Sequence, residues 1–299
     1  MLKPCNLDHN GDCLICDCSI DKCAWDRFTS MDYTYESKEK LREMFGSLKN
    51  IYIGDIHGRD CWEEIVRQHP DAANIVFVGD YFDSYDISGI EQLFNAENIV
   101  RFKKESRANV YLLIGNHDHH YWPGVKDRGM TSGFQDKMLH QFETFFRENE
   151  DKFQMSVTIG NVLCTHAGVS NQFLKDTGYW THDYKDESGV SEFLNDLFKY
   201  KPNEFGFYAY SDRHYGLAYS DPYGNNEGQS PIWIRPGALQ RSNQRTGLKK
   251  MYVQVVGHTQ QPSIDVKGKT TGGKYYYIDT LSVGEYLIEI DGRFEIGKV

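Results

Sequence analysis

The sequence has no apolar run approaching the roughly 20 residues that span a bilayer, and its start, MLKPCNLDHNGDC, lacks the charged-then-apolar layout of a secretory leader. It is also short of positive charge, with 33 Lys and Arg against 43 Asp and Glu and a net charge of −10. That balance opposes a sequence-independent grip on nucleic-acid backbone, so no extended nucleic-acid binding is expected. Internal repeats and low-complexity linkers are missing as well. These absences predict a soluble, cytoplasmic chain without a membrane partner, and its 299 residues suffice for one large core.

Cysteine is scarce outside one place. Cys61 and Cys164 stand alone, whereas Cys5, Cys13, Cys16, Cys18 and Cys23 crowd the N-terminus together with His9. An odd, clustered set in an unexported chain suits a thiolate metal knuckle better than a disulfide framework. Cys13 and Cys16 have the usual knuckle spacing for tetrahedral zinc, with the remaining ligands drawn from Cys5, His9, Cys18 or Cys23. The alternative is that these small residues pack an N-terminal flap without metal. The organisation expected is an extension over residues 1–48, with a structural zinc as one reading of it, followed by a single folded domain over 49–299.

Within that domain apolar runs alternate with helical patterns. IYIGDIHG begins as a strand; in CWEEIVRQHP, Trp62, Ile65 and Val66 share a helical face until Pro70 stops it; NIVFVGD is the next strand. SGIEQLFNAENIVRFKKES places Ile90, Leu93, Phe94, Ile99 and Phe102 at helical spacing, and NVYLLIGN is again a strand. The β-α-β-α-β order predicts a largely parallel sheet with helices on its faces. FQDKMLHQFETFFREN reads as a further helix, and FQMSVTIGNVLCTHAG as two strands turning at Gly160-Asn161. MYVQVVGHT, GKYYYIDT and EYLIEIDGRFEIGKV predict short strands of a second, mostly antiparallel sheet. Between them, residues 179–244 are dense in aromatics and Gly, which suits an ordered lid over a site.

Polar residues gather where these strands end. Asp55 and His57 follow IYIG, Asp80 and Asp83 follow VFVG, Asn116, His117 and Asp118 follow YLLIG, His166 follows VLCT, and His258 follows VQVVG. One Asp or His after a strand is usually a turn former. Five such clusters are harder to assign to turns, because ligands in open α/β sheets gather outside the carboxyl ends of strands. Imidazoles, carboxylates and an amide with no thiolate among them suit manganese, iron or zinc.

Gly54-Asp55-Ile56-His57-Gly58, Gly79-Asp80-Tyr81-Phe82-Asp83, Gly115-Asn116-His117-Asp118, Thr165-His166-Ala167-Gly168 and Gly257-His258-Thr259 resemble, in order, the successive motifs of the calcineurin-like metallophosphoesterases. The likeness is greatest to the branch of serine/threonine phosphoprotein phosphatases and bacterial diadenosine tetraphosphatases. The resemblance implies an α/β (α+β) fold, a β-sandwich of two mixed sheets flanked by helices. It implies two divalent metals, Mn2+ first and Fe or Zn2+ as alternatives. Asp55 and His57 would hold one, Asp80 would bridge both, and Asn116, His166 and His258 would complete the other. It further implies hydrolysis by direct attack of a metal-bridging hydroxide, with His117 protonating the leaving group and Asp83 orienting His117.

Arg235, in PIWIRPGAL, is the candidate to clamp phosphate, because a guanidinium binds two of its oxygens at once; the stretch is similar to the Trp-containing segment just before the final histidine in several bacterial relatives, and its alternative role is a surface salt bridge. Asn116 would also contact phosphate. The family's phosphatases continue their second motif as Asp-Arg-Gly, and here Ser84 stands in place of that arginine; Arg59 is the candidate to replace it from the first loop. His119 and His120 stand beside the site and are expected as exposed loop histidines, with contact to substrate as the alternative. The function expected is hydrolysis of phosphate monoesters, with a phosphoprotein, nucleotide or small phosphoester as substrate. The alternatives are a dinucleoside polyphosphate hydrolase, a nucleotide or nucleic-acid phosphodiesterase, and a catalytically dead binding protein. A purine stacked on the aromatic lid would favour the nucleotide readings.

Overall fold

The computed structural model describes residues 48–126, 132–179, 189–207, 225–244, 252–265 and 275–299. The N-terminal cysteines and their proposed zinc lie outside the described residues. The described residues within 48–158 and 162–299 form one compact unit.

Its first sheet has the order β10-β9-β1-β2-β3-β4. β1 (Lys49–Ile53), β2 (Asn74–Phe77), β3 (Asn109–Leu113) and β4 (Phe153–Gln154) run parallel, and β9 (Glu285–Ile290) and β10 (Arg293–Lys298) add an antiparallel hairpin beside β1. A polar ladder fixes the register. Asn50 is paired with Asn74 and with Glu289, and Asn74 with Asn109. Their side chains bond in a row: Asn109 donates to Asn74 at 3.1 Å, Asn74 to Asn50 at 2.8 Å, and Asn50 to Glu289 at 2.6 Å. A one-residue slip would leave the buried amides of Asn50 and Asn74 without partners, which is costly.

The second sheet has the order β5-β6-β7-β8, built from Val157–Ile159, Val162–Cys164, Val253–Val256 and Tyr275–Tyr277. The stretch FQMSVTIG therefore divides between the sheets, with Phe153–Gln154 in the first and Val157–Ile159 in the second. Gly160 takes the left-handed conformation expected of the turn, at φ 58°. The expectation of a mostly antiparallel second sheet is overturned: β6, β7 and β8 are parallel, and the antiparallel C-terminal hairpin extends the first sheet instead. Turn signals located the strands but said nothing of which sheet edge each would reach.

Helices α1 (Trp62–Gln68) and α2 (Gly89–Glu105) form the crossovers, the latter started by a Ser88–Glu91 capping box. Ile90 and Phe94 are not on its buried face; they are 49% and 59% exposed. That face carries Gln92, Asn95, Ala96, Ile99 and Val100. The polar members serve the loops above: Asn95 accepts the Trp62 indole N–H and donates to the Arg59 carbonyl, and Gln92 accepts the Ser84 amide. α3 (Asn116–His119) is a single turn after β3, and α4 (Leu139–Glu148) packs Phe142, Phe145 and Phe146 inward. α5 (Asn171–Asp176), α6 (Gly189–Tyr200) and α7 (Pro236–Asn243) complete the described helices. The last two lie within the predicted lid segment, where α6 buries Val190, Phe193, Leu194 and Phe198.

Candidate metal centre

Both sheets aim their carboxyl ends at one place. Asp55 and His57 leave β1, Asp80 and Asp83 leave β2, Asn116 and His117 open α3 after β3, His166 follows β6, and His258 follows β7. The close approach depends on glycines. A Cβ on Gly115 would lie 2.1 Å from Asp80 Oδ1, and one on Gly257 would lie 1.9 Å from Asp55 Oδ1.

The turn after β2 is the centre of the arrangement. Asp80 and Asp83 both adopt the left-handed region, at φ 54° and 66°, as do His57 at 42° and His258 at 65°. Such backbone is disfavoured by about 1–2 kcal/mol per residue and persists where its surroundings dictate it. Here Asp118 accepts the amides of Asp80, Tyr81 and Gly115 at 2.7, 2.8 and 2.9 Å. From the other side His57 N donates to Asp80 O at 2.6 Å and Gly58 N to Tyr81 O at 3.0 Å. Phe82, fully buried, stacks on Phe142 at 3.9 Å and anchors the loop while the acids on either side turn to the site.

The geometry around Asp80 fits divalent cations. His57, Asp80 and His117 offer donor atoms all within 4.8 Å of one another, and so do Asp55, Asp80 and His166. Asp80 is common to both groups. Backbone carbonyls sit against the far nitrogens of the rings: Phe82 O at 2.6 Å from His57 Nδ1, Val78 O at 2.9 Å from His166 Nδ1, and Trp233 O at 3.1 Å from His258 Nε2. Each ring therefore carries a proton on that nitrogen and turns the other inward, where once unprotonated it would present a lone pair to a cation, the second-sphere pattern of metal-binding histidines. The inward nitrogens of His166 and His258 both converge on Asn116 Oδ1, at 2.9 and 2.8 Å.

The charges ask for a cation as well. Burial and then the neighbouring Asp279 push the Asp55 carboxyl well up, and burial followed by Asp80 raises Asp279 to about 6. Burial would raise Asp80 too, but the imidazoles of His166, His117 and His57 pull it below the ordinary carboxylate range. Burial opposes a charge on His166, yet Asp80 and Asp55 raise it to about 10, so a proton there balances the carboxylates that a metal would otherwise satisfy. His57 and His258 are lowered chiefly by burial and remain neutral donors.

His117 stands apart from these rings. Its Nδ1 faces Asp83 Oδ2 at 2.9 Å, and its amide donates to Asp80 Oδ1 at 2.9 Å. Burial disfavours its charge, but the Asp80 and Asp83 carboxylates outweigh that and raise it. A protonated imidazole beside the metal-binding residues is equipped to donate a proton.

Arg235 caps the start of α7 and donates from one guanidinium nitrogen to His258 O at 3.2 Å and Thr259 Oγ1 at 3.1 Å. Burial lowers its pKa, against the opposing pull of Asp279, Asp55 and Asp80. It is half-buried, with its guanidinium held against the loop that follows β7. Arg59 donates to Ile56 O at 3.3 Å, and its charge reaches both His57 and Asp279. Ser84 is occupied with its own turn, its Oγ accepting the amides of Asp86 and Ile87 at 3.3 Å.

His119 and His120 are not exposed; both are buried. Pro202 and Trp233, both after α6, and Phe134, before α4, cover them: His119 Nε2 lies 2.8 Å from Pro202 O, and the His120 ring is edge-on to Trp233 and Phe134. The sequence reading also passed over residues that belong to the centre. Asp118 was visible in the third motif without a task, and Asp279 follows β8 at two residues' distance, where the other strands release theirs, but no glycine precedes it. Nothing in the local pattern identified Tyr121, which donates to Asp83 Oδ1 at 2.5 Å.

Residues 49–262 match the calcineurin-like phosphoesterase family. No curated protein matches the chain. Among solved structures it is similar to a protein serine/threonine phosphatase from Saccharomyces cerevisiae, itself described as similar to human phosphatase PP5, with a TM-score of 0.48, 14% identity, and coverage of 86% of this chain and 81% of that one. It is similar also to a metallophosphoesterase from Sphaerobacter thermophilus, with a TM-score of 0.36, 11% identity, and coverage of 85% and 88%. Because the family match spans most of the chain and contains all six groups that resemble family metal ligands, the chain belongs to the calcineurin-like phosphoesterases and is a metal-dependent hydrolase of phosphate esters.

Proposed function

We propose that the chain is a phosphomonoesterase acting on esters with alkoxide leaving groups, of which phosphoserine and phosphothreonine in proteins are the substrate class. The observation that carries this reading is the His117–Asp83 contact beside Asp80. An alkoxide is a poor leaving group and needs a proton as it departs, a contribution of typically ~10²–10⁴ in rate. A nucleotide or polyphosphate leaving group is more acidic and needs that proton less.

In this reading Asp55, His57 and Asp80 hold one divalent cation, and Asp80, Asn116, His166 and His258 hold the second. When bound, such a pair lowers the pKa of water and draws charge from phosphoryl oxygens. The chain's own groups do the rest. Arg235, steadied by His258 O and Thr259 Oγ1, binds phosphoryl oxygens together with Arg59 and the Asn116 amide. His117 releases its Nε2 proton to the departing oxygen as the phosphorus–oxygen bond breaks; one water is consumed, and an alcohol and inorganic phosphate leave.

Manganese is the cation of this reading, with iron or zinc as alternatives. The free thiols Cys61 and Cys164 are consistent with a cytoplasmic setting. Residues 1–48 are read as a separate extension, with Cys5, Cys13, Cys16, Cys18 and Cys23 as its zinc donors. Residues 179–244 are read as a cover, supported by the contact of Pro202 with His119.

The test is full-length protein stripped of metal, reloaded with Mn2+, and offered phosphopeptides, p-nitrophenyl phosphate, bis(p-nitrophenyl) phosphate, dinucleoside polyphosphates and nucleotides. Turnover of phosphopeptides and the aryl monoester, lost in Asp80→Asn, supports the reading. Turnover confined to the diester or to dinucleoside polyphosphates would replace it.

A further inference from the structure

Tyr121 lies just past α3, wholly buried, and its hydroxyl is used twice. It donates to Asp83 Oδ1 at 2.5 Å and accepts the Gln135 amide at 2.8 Å. The other carboxylate oxygen, Oδ2, is the one that faces His117. The ring that carries this hydroxyl is held on several sides. It lies parallel to Phe134 at 5.2 Å and edge-on to Phe82 at 5.9 Å and Phe142 at 4.9 Å. Burial, and then the Asp83 charge, pushes the phenol above its ordinary value, so it remains a donor throughout the working pH range.

We propose that Tyr121 is a positioning residue for phosphoester hydrolysis, pinning Asp83 from the side opposite His117 so that the imidazole meets the leaving group in one orientation. The proposal rests on the reading of His117 and Asp83 as the proton-donating pair. A carboxylate oxygen that meets a mobile imidazole transmits any turn about its own Cβ–Cγ bond to the ring. A second bond from a rigid aromatic removes that freedom, and the Gln135 amide fixes the direction in which the phenol proton points. The loop bearing Asp83 is itself in left-handed backbone, so the carboxylate is constrained from its own main chain and from its far oxygen.

A residue acting through His117 should matter most where the proton matters most. Full-length, manganese-loaded Tyr121→Phe is compared with the wild type on a phosphoserine peptide and on p-nitrophenyl phosphate, whose leaving group departs without much help. The expected result is a fall in kcat of about tenfold on the peptide, the loss of one charge-assisted hydrogen bond, against no more than about threefold on the aryl ester, with KM unchanged for both. His117→Ala is run beside it and should show the same preference more strongly. Equal losses on the two substrates in Tyr121→Phe, or no loss on either, would overturn the proposal while a selective loss in His117→Ala keeps the proton-donor reading. A His117→Ala variant with no selectivity would remove that reading and the Tyr121 proposal together. Tyr121→Phe placed on Asp83→Asn should add nothing to the peptide defect; an additive loss would show that the tyrosine acts elsewhere.

Discussion

Gly257→Ala offers a direct test of how tightly the two sheets position the centre. The added Cβ would sit 1.9 Å from Asp55 Oδ1 and 2.8 Å from Val78 Cγ2. Ordinary contact begins near 3.4 Å, so Asp55 would have to retreat by 3.4 − 1.9 = 1.5 Å unless the backbone moves instead. Asp55 is 2% exposed and accepts the His258 amide at 3.1 and 3.0 Å, so a retreat of that size breaks this bond between the first and last motifs. Overpacking of a tight interior costs about 1–3 kcal/mol, and a misplacement of about 1 Å in a catalytic group can cost ~10² in rate. The expected outcome is a folded protein, destabilised by roughly 1–3 kcal/mol in a urea titration, that retains less metal after dialysis and turns over p-nitrophenyl phosphate about 10²-fold more slowly. Gly237→Ala is the control, since the nearest atom to its Cβ is Arg241 Nη1 at 3.5 Å and alanine favours the helix. If Gly257→Ala keeps wild-type metal content and turnover, Asp55 is not constrained by the glycine and the argument from close approach fails.

Three further outcomes are expected. Arg235→Ala and Arg59→Ala should each raise KM for p-nitrophenyl phosphate, about tenfold for the more tightly held Arg235; an unchanged KM in either variant removes that arginine from the phosphate site. Asn74→Ala interrupts the ladder from Asn109 to Glu289 and should cost about 1–3 kcal/mol of stability with kcat preserved, and a neutral urea midpoint would show that the ladder does not hold the register. Metal analysis of a chain beginning at Met31 should show less zinc than the full-length protein, and an equal zinc content would leave the N-terminal cysteines without a metal.

The strand ends could be read from the sequence because each ends in a short polar signal after an apolar run. Asp55, His57, Asp80, Asn116, His166 and His258 are all placed by such local pattern, and their order matched a known family. The helix over Gly89–Glu105 was legible by the same means, but spacing alone does not report which face it buries: Gln92 and Asn95 are drawn inward by loop amides and carbonyls while Ile90 and Phe94 are left exposed. His119 looked like an exposed loop residue since the Pro202 segment that covers it arrives 83 residues later, and His120 likewise since Trp233 comes from a distant part of the chain.

What the sequence determined by itself was the chemistry on offer: which side chains are released from which strands, and that the set suits divalent metals and phosphate. It carried that information because strand, turn and polar residue are neighbours in the chain. Only the tertiary structure decided which of those groups meet. The parallel run of β6, β7 and β8 brings His166 and His258 to Asn116, Val78 O and Trp233 O select the inward nitrogen of each ring, and Tyr121 reaches Asp83 across 38 residues. Those contacts join elements distant in sequence, and their energies depend on burial and sub-ångström clearance, which a linear pattern does not contain.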